Sequence, residues 1–167
     1  MKKRILSIVL TVCMILALVP QAVFAADEAG NEYEFLEVLK KGGTQKLNKD
    51  YNVAQSINVG TAIVLDLNGH VVHITDNSWL CVDRNNNGVT LTIKDSNPNS
   101  VHSGQFAGLP NGGVICADGE ENGGTDLDDG GCLYVANGTL ILESGTICNG
   151  YAKGHGGAIA NNSNLIM

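Results

Sequence analysis

The chain has 167 residues, seventeen acidic against ten basic side chains, and a formal net charge of −7, with 44% hydrophobic residues. The basic residues form no stripe along the chain, which excludes the electrostatic footprint that nucleic-acid binding requires. Twenty-one glycines against three prolines and one tryptophan point to many short strands joined by tight corners.

The first segment has Lys2, Lys3 and Arg4, an uncharged stretch from Ile5 to Leu18, then Pro20 and the small-residue site Val23-Phe24-Ala25. This order of charged, apolar and small-residue parts reads as a secretory signal peptide over residues 1–25. Its apolar run is shorter than the roughly 20 residues a spanning helix needs, and no second apolar run follows, so no membrane span is expected after cleavage. The mature chain would keep seven basic and all seventeen acidic residues, a net charge of about −10. It would also keep Cys81, Cys116, Cys132 and Cys148 in a compartment where disulfides persist. An even number permits two bridges, and stacked buried thiols are the equal alternative.

Residues 26–60 read as an N-terminal cap, containing one amphipathic helix at about 32–41 and the first strands. Phe35, Leu36 and Leu39 form the apolar face of the helix, and Gly42-Gly43 ends it. A helix in this place covers the first open edge of a stack of strands.

Residues 61–167 then show short strands with period-two patterning. Ile63, Leu65 and Leu67, next Val89, Leu91 and Ile93, and later Leu140 and Leu142 form alternate aliphatic sets. Equivalent positions recur at 25 or 26 residues: Leu65 with Leu91, Cys132-Leu133 with Ala158-Ile159, and Leu140-Ile141-Leu142 with Leu165-Ile166-Met167. A fixed period in the twenties, with Gly and Asn corners, predicts an all-β fold of the solenoid type in which each repeat adds one rung. The chain ends inside an apolar run without a closing cap, so a fragment truncated within the solenoid is expected.

The segments VLDLNGHVV, LTIKDS and GTLILESGTICNGYAKGHGGAI, with the helix before them, resemble the N-terminal repeats of large secreted bacterial β-helix proteins of the pectin-lyase-like superfamily. The resemblance covers essentially all of the mature chain. It implies a right-handed parallel β-helix and leaves the activity open, because that fold carries lyases, hydrolases and inert adhesins alike.

Three constellations carry candidate chemistry. Asp83-Arg84-Asn85-Asn86-Asn87-Gly88 opens like a calcium loop, but its twelfth position is Lys94 instead of Glu, so an Asn-Gly turn is expected. The acidic stretch holding Asp118, Glu120, Glu121, Asp126, Asp128 and Asp129 offers oxygen ligands for calcium on a glycine-rich loop. Asp128 and Asp129, with His155 between glycines, resemble the paired aspartates and Gly-His-Gly of polygalacturonase-type hydrolases, but the basic residues such an enzyme needs downstream are not present. His70 and His73 stand three apart, on opposite faces of a strand, and do not share a metal.

The function expected from these residues is an extracellular or cell-surface β-helical segment, adhesin-like and non-catalytic, with a polysaccharide or a host or cell-surface protein as partner. A polysaccharide lyase or glycoside hydrolase with its catalytic rungs further along is the alternative.

Overall fold

The computed structural model describes residues 29–76, 78–118, 131–152, 154 and 156–167. The leader therefore lies outside the described residues, as do Glu120, Glu121, Asp126, Asp128, Asp129 and His155.

Helix α1 spans Glu32–Lys40. Its start is a capping box: the Asn31 side chain accepts the backbone N–H of Tyr33 and Glu34 at 3.1 Å each, and the Glu34 carboxylate accepts the Asn31 N–H at 3.1 Å. Phe35 and Leu39 are fully buried, and the Phe35 ring meets Tyr51 at a centroid distance of 5.2 Å. Gly30 joins this cover by bridging to Tyr51, with Asn52 donating to its carbonyl at 2.7 Å. The first rung is thus closed by a helix and a stretch of extended chain, which protects an edge that would otherwise recruit another strand.

The described residues form thirteen short strands in five rungs. The first rung holds β1 (Gly43–Lys46), β2 (Tyr51–Val53) and β3 (Ile57–Val59). The second holds β4 (Ile63–Asp66), β5 (Val71–Ile74) and β6 (Leu80–Val82). The third holds β7 (Thr90–Lys94), β8 (Val114–Ala117) and β9 (Leu133–Val135), and the fourth holds β10 (Thr139–Leu142), β11 (Thr146–Cys148) and β12 (Ile159–Asn161). Strand β13 (Asn164–Ile166) begins a fifth. Every pairing between rungs is parallel, giving three sheets in the orders β1-β4-β7-β10-β13, β2-β5-β8-β11 and β3-β6-β9-β12. This is a parallel β-helix with a triangular rung.

Register places like residues over like. Ile63, Leu91, Leu140 and Leu165 form one inward column, Tyr51, Val72, Ile115 and Ile147 a second, and Ile57, Leu80, Leu133 and Ile159 a third. All belong to one continuous apolar core. Each fully buried aliphatic side chain in it contributes roughly 1.5–3 kcal/mol.

Two of the expected correspondences are observed, Leu133 with Ile159 and Leu140 with Leu165. The third is corrected: Leu91 pairs with Ile63, and Leu65 pairs with Ile93, so this spacing is 28 residues rather than 26. A shift of two residues leaves every side chain on the same face, and period-two patterning is blind to it.

Corners are held by aspartates and left-handed residues. Asp66 Oδ1 accepts the N–H of Asn68 at 3.0 Å and of Ser96, one rung on, at 2.9 Å. Asn68 and Gly69 follow with φ of 52° and 77°. A side chain at Gly69 would be strained by that φ and would also run into Ser100. The third rung is lengthened between β7 and β8, and the inserted chain folds back over the outer face of the second sheet. There Phe106 and Leu109 cover Val71, Val114, Cys116 and Cys148 as a second apolar cluster.

Candidate functional site

The backbone of the first rung turns between β1 and β2 at Leu47 to Asp50. Leu47 is buried and anchors the turn, donating its N–H to the Asp66 carbonyl at 2.9 Å and accepting from the Asn68 amide at 3.0 Å. Because the interior is already filled, Asn48, Lys49 and Asp50 are directed outward. The long insertion of the third rung passes on the other side, so a cleft of about 660 Å³ opens between them. Its walls are Asn48, Lys49, Asp50, Asn52 and His70 from the first two rungs, Ser103 to Phe106 from the insertion, and Ala29 ahead of the helix.

The cleft has charges of both signs within a small space. Lys49 Nζ donates to Glu34 Oε2 at 3.0 Å and lies 5.7 Å from the centre of the Tyr51 ring. The bond from Lys49 and the N–H of Asn31 hold the Glu34 carboxyl below the usual range. Asp50 Oδ1 accepts the Val71 N–H at 2.9 Å and faces His70 Nδ1 at 3.2 Å. Among the described residues, Asp50 makes these contacts through Oδ1. Burial raises the Tyr51 phenol above its ordinary value. Phe106, buried and edge-on to His73 at 5.7 Å, backs the insertion wall.

Such a lining donates and accepts hydrogen bonds in several directions beside a substantial apolar share that includes Phe106 and Ala29.

The sequence candidates fall differently. Asp118 is described, and its Oδ1 lies 2.6 Å from His73 Nε2. The Asp83 loop is the expected turn: its carboxylate accepts the N–H of Asn87 at 2.7 Å, Gly88 at 2.8 Å and Val89 at 3.1 Å. The Asn87 bond, with those of Val89 and Gly88, holds the Asp83 carboxyl below its ordinary value despite desolvation. His70 and His73 have separate partners, Asp50 and Asn52, but His70 precedes β5 and strand alternation does not place it. No set of three His, Cys, Asp or Glu side chains is arranged to hold a metal ion among the described residues.

Cys116, His73 and Asp118 bring a thiol, an imidazole and a carboxylate into one region, since Cys116 pairs in register with His73. They do not make a nucleophilic centre. Cys116 is 2% exposed, and burial, with Cys148 and Asp118 nearby, pushes its thiol up to about 12, so it stays protonated.

No family model, curated protein or solved structure matches this chain. The reading of its site therefore rests on the residues alone.

Sequence reasoning did not find this cleft. Its residues lie near positions 29, 50, 70 and 105, and only the stacking of three rungs brings them together. The available signal was the stretch between the strand at Lys94 and the one at Val114, longer than a corner needs and holding a lone Phe106 among Gly and Ser.

Proposed function

We propose that this chain is an extracellular or cell-surface β-helical segment of the pectin-lyase-like kind that binds carbohydrate non-catalytically, with the cleft between the first-rung turn and the third-rung insertion as the binding site. The observation that supports this reading is the set of mixed polar side chains lining a cleft of about 660 Å³, large enough for a short oligosaccharide. Asn48 and Gln105 sit on opposite walls and are both exposed, so they are the natural first contacts for ligand hydroxyls. Lys49, paired with Glu34, adds a donor, and Asp50 Oδ2 adds an acceptor.

Titration calorimetry against neutral and uronate oligosaccharides tests the reading. Asn48→Ala and Gln105→Ala should each weaken binding about tenfold, the loss of one net hydrogen bond, with the melting temperature unchanged. Equal affinity in wild type and both variants would remove the cleft from the site. Cleavage of a uronate polymer by the chain, abolished by Asp128→Ala, would overturn the non-catalytic reading.

A further inference from the structure

We propose that Cys116 and Cys148 form a disulfide that ties the third rung to the fourth. The two residues are Cα partners in the parallel pairing of β8 with β11. In-register partners on parallel strands direct their side chains to the same face. The usual strand spacing of roughly 4.8 Å lies inside the range of Cα separations, about 4.4–6.8 Å, that a disulfide spans. Cys148 is the last residue of its strand, where the ladder ends and the backbone can converge the last few tenths of an ångström on its partner.

Both side chains lie on the outer face of the second sheet, in one apolar cluster under Phe106 and Leu109. A bridge there needs no hydrogen-bond partner and has no proton to lose. The other two cysteines are placed differently. Cys81 pairs in register with Tyr134, and Cys132 belongs to the interior core. Cys132 is nevertheless the natural competitor, because its sulfhydryl donates to the Cys148 carbonyl at 3.4 Å.

The oxidant is a disulfide, either a small-molecule disulfide or the oxidised form of a dithiol oxidoreductase. Cys148, less buried than Cys116, attacks one sulfur of it as the thiolate and displaces the first thiolate. Cys116 as the thiolate then attacks the Cys148 sulfur and displaces the second. The protons of the two cysteines end on the two released thiols, so two protein thiols are oxidised and one disulfide is reduced. Burial raises both protein thiols, Cys116 to about 12, so exchange in the folded chain accelerates with rising pH. The inference is independent of carbohydrate binding.

The test is peptide mapping of the full chain after incubation with oxidised glutathione at mildly alkaline pH. Arg84, Lys94, Glu121 and Glu143 separate the four cysteines beyond Cys13, so trypsin with a glutamate-specific protease places each on its own peptide. The expected product joins the Cys116 and Cys148 peptides, at a mass lower by two hydrogens than the pair, and it persists in Cys132→Ala. The bridged chain should melt about 10 °C above the reduced one, a difference lost in Cys148→Ser. A linkage through Cys132, glutathione adducts alone, or unchanged thiols at Cys116 and Cys148 after prolonged oxidation would each overturn the assignment.

Discussion

Removing the carboxylate of Asp95 should destabilise the solenoid more than any other single surface change, because this side chain ties together backbone from two rungs. Its Oδ1 accepts the N–H of Gly69 at 2.7 Å and of Asn97 at 3.1 Å, and its Oδ2 accepts the N–H of Gly113 at 2.7 Å. Gly69 lies at the second-rung corner, and Gly113 immediately precedes β8, so the carboxylate fixes both the corner and the return of the insertion. Hydrogen bonds to a charged group contribute about 1.5–3 kcal/mol each. Asp95 is partly exposed, so water replaces some of what Asp95→Ala removes, and the lower end for the two short bonds gives about 3 kcal/mol. At 2–4 °C per kcal/mol for a chain of this size, the melting temperature should fall by about 10 °C. Urea unfolding followed by circular dichroism measures the loss directly, with the slope against denaturant unchanged. Glu143→Ala is the control: it is an exposed carboxylate at the equivalent edge of the next rung and should cost less than about 0.5 kcal/mol. If Asp95→Ala lost no more than this control, the argument that corner carboxylates hold the rungs in place would fail.

Acid should unfold the chain through two other corner carboxylates, Asp66 and Asp83. Burial raises the Asp66 carboxyl, but the N–H and hydroxyl of Ser96, the N–H of Asn68 and the charge of Lys94 outweigh it, so Asp66, like Asp83, lies below the ordinary value of 3.8. A depressed folded-state value means stability that is present above pH 3.8 and lost as pH falls below it, and Asp83→Asn should make that loss shallower in urea midpoints taken across the acid range. Asn31→Ala removes the capping box and should cost about 1 kcal/mol in the same assay, with a loss near zero refuting the cap. Gly113→Ala places a methyl against the Leu67 side chain and Asp95, an overpacking cost of about 1–3 kcal/mol, whereas Gly88→Ala meets open space and costs about 1–2 kcal/mol for its φ of +75° alone. Phe106→Ala uncovers Cys116 and should speed its alkylation under native conditions severalfold; an unchanged rate would show that the insertion is not what shields it.

What could be read from the sequence follows from how far apart the interacting residues lie. The helix was legible because its apolar face and terminating glycines sit within nine residues, from Phe35 to Gly43, whereas its Asn31 cap emerged only in the structure. The rung period was legible where a rung carries no insertion, as from Leu140 to Leu165. It was hidden where one does, since Val71 and Val114 are adjacent in the second sheet but 43 residues apart. The error of two residues at Leu91 has a different origin. Alternation defines which face a side chain takes, while the position along the strand is decided by the preceding corner, and there Asp83 gathers three backbone N–H groups. The cleft was illegible for a further reason: no one of its segments has a composition that marks a site, and its shape exists only once the insertion lies across the first two rungs.

The distribution of carboxylates narrows where function can lie. In a parallel β-helix the strands satisfy their own backbone groups through neighbouring rungs, and the corners are where N–H groups are left over. Asp66, Asp83 and Asp95 serve those corners, and Glu34 serves the helix start. Glu37 pairs with Lys40 on the surface, and Asp118 meets His73. These carboxylates of the described residues therefore serve the architecture first. Asp50 departs from this pattern among the described residues: it serves a backbone N–H through Oδ1, yet it also lines the cleft. A carboxylate that both orders the turn and faces the cleft couples the shape of the cleft to the stacking of the first two rungs. The proposed carbohydrate binding should therefore be lost when those two rungs separate.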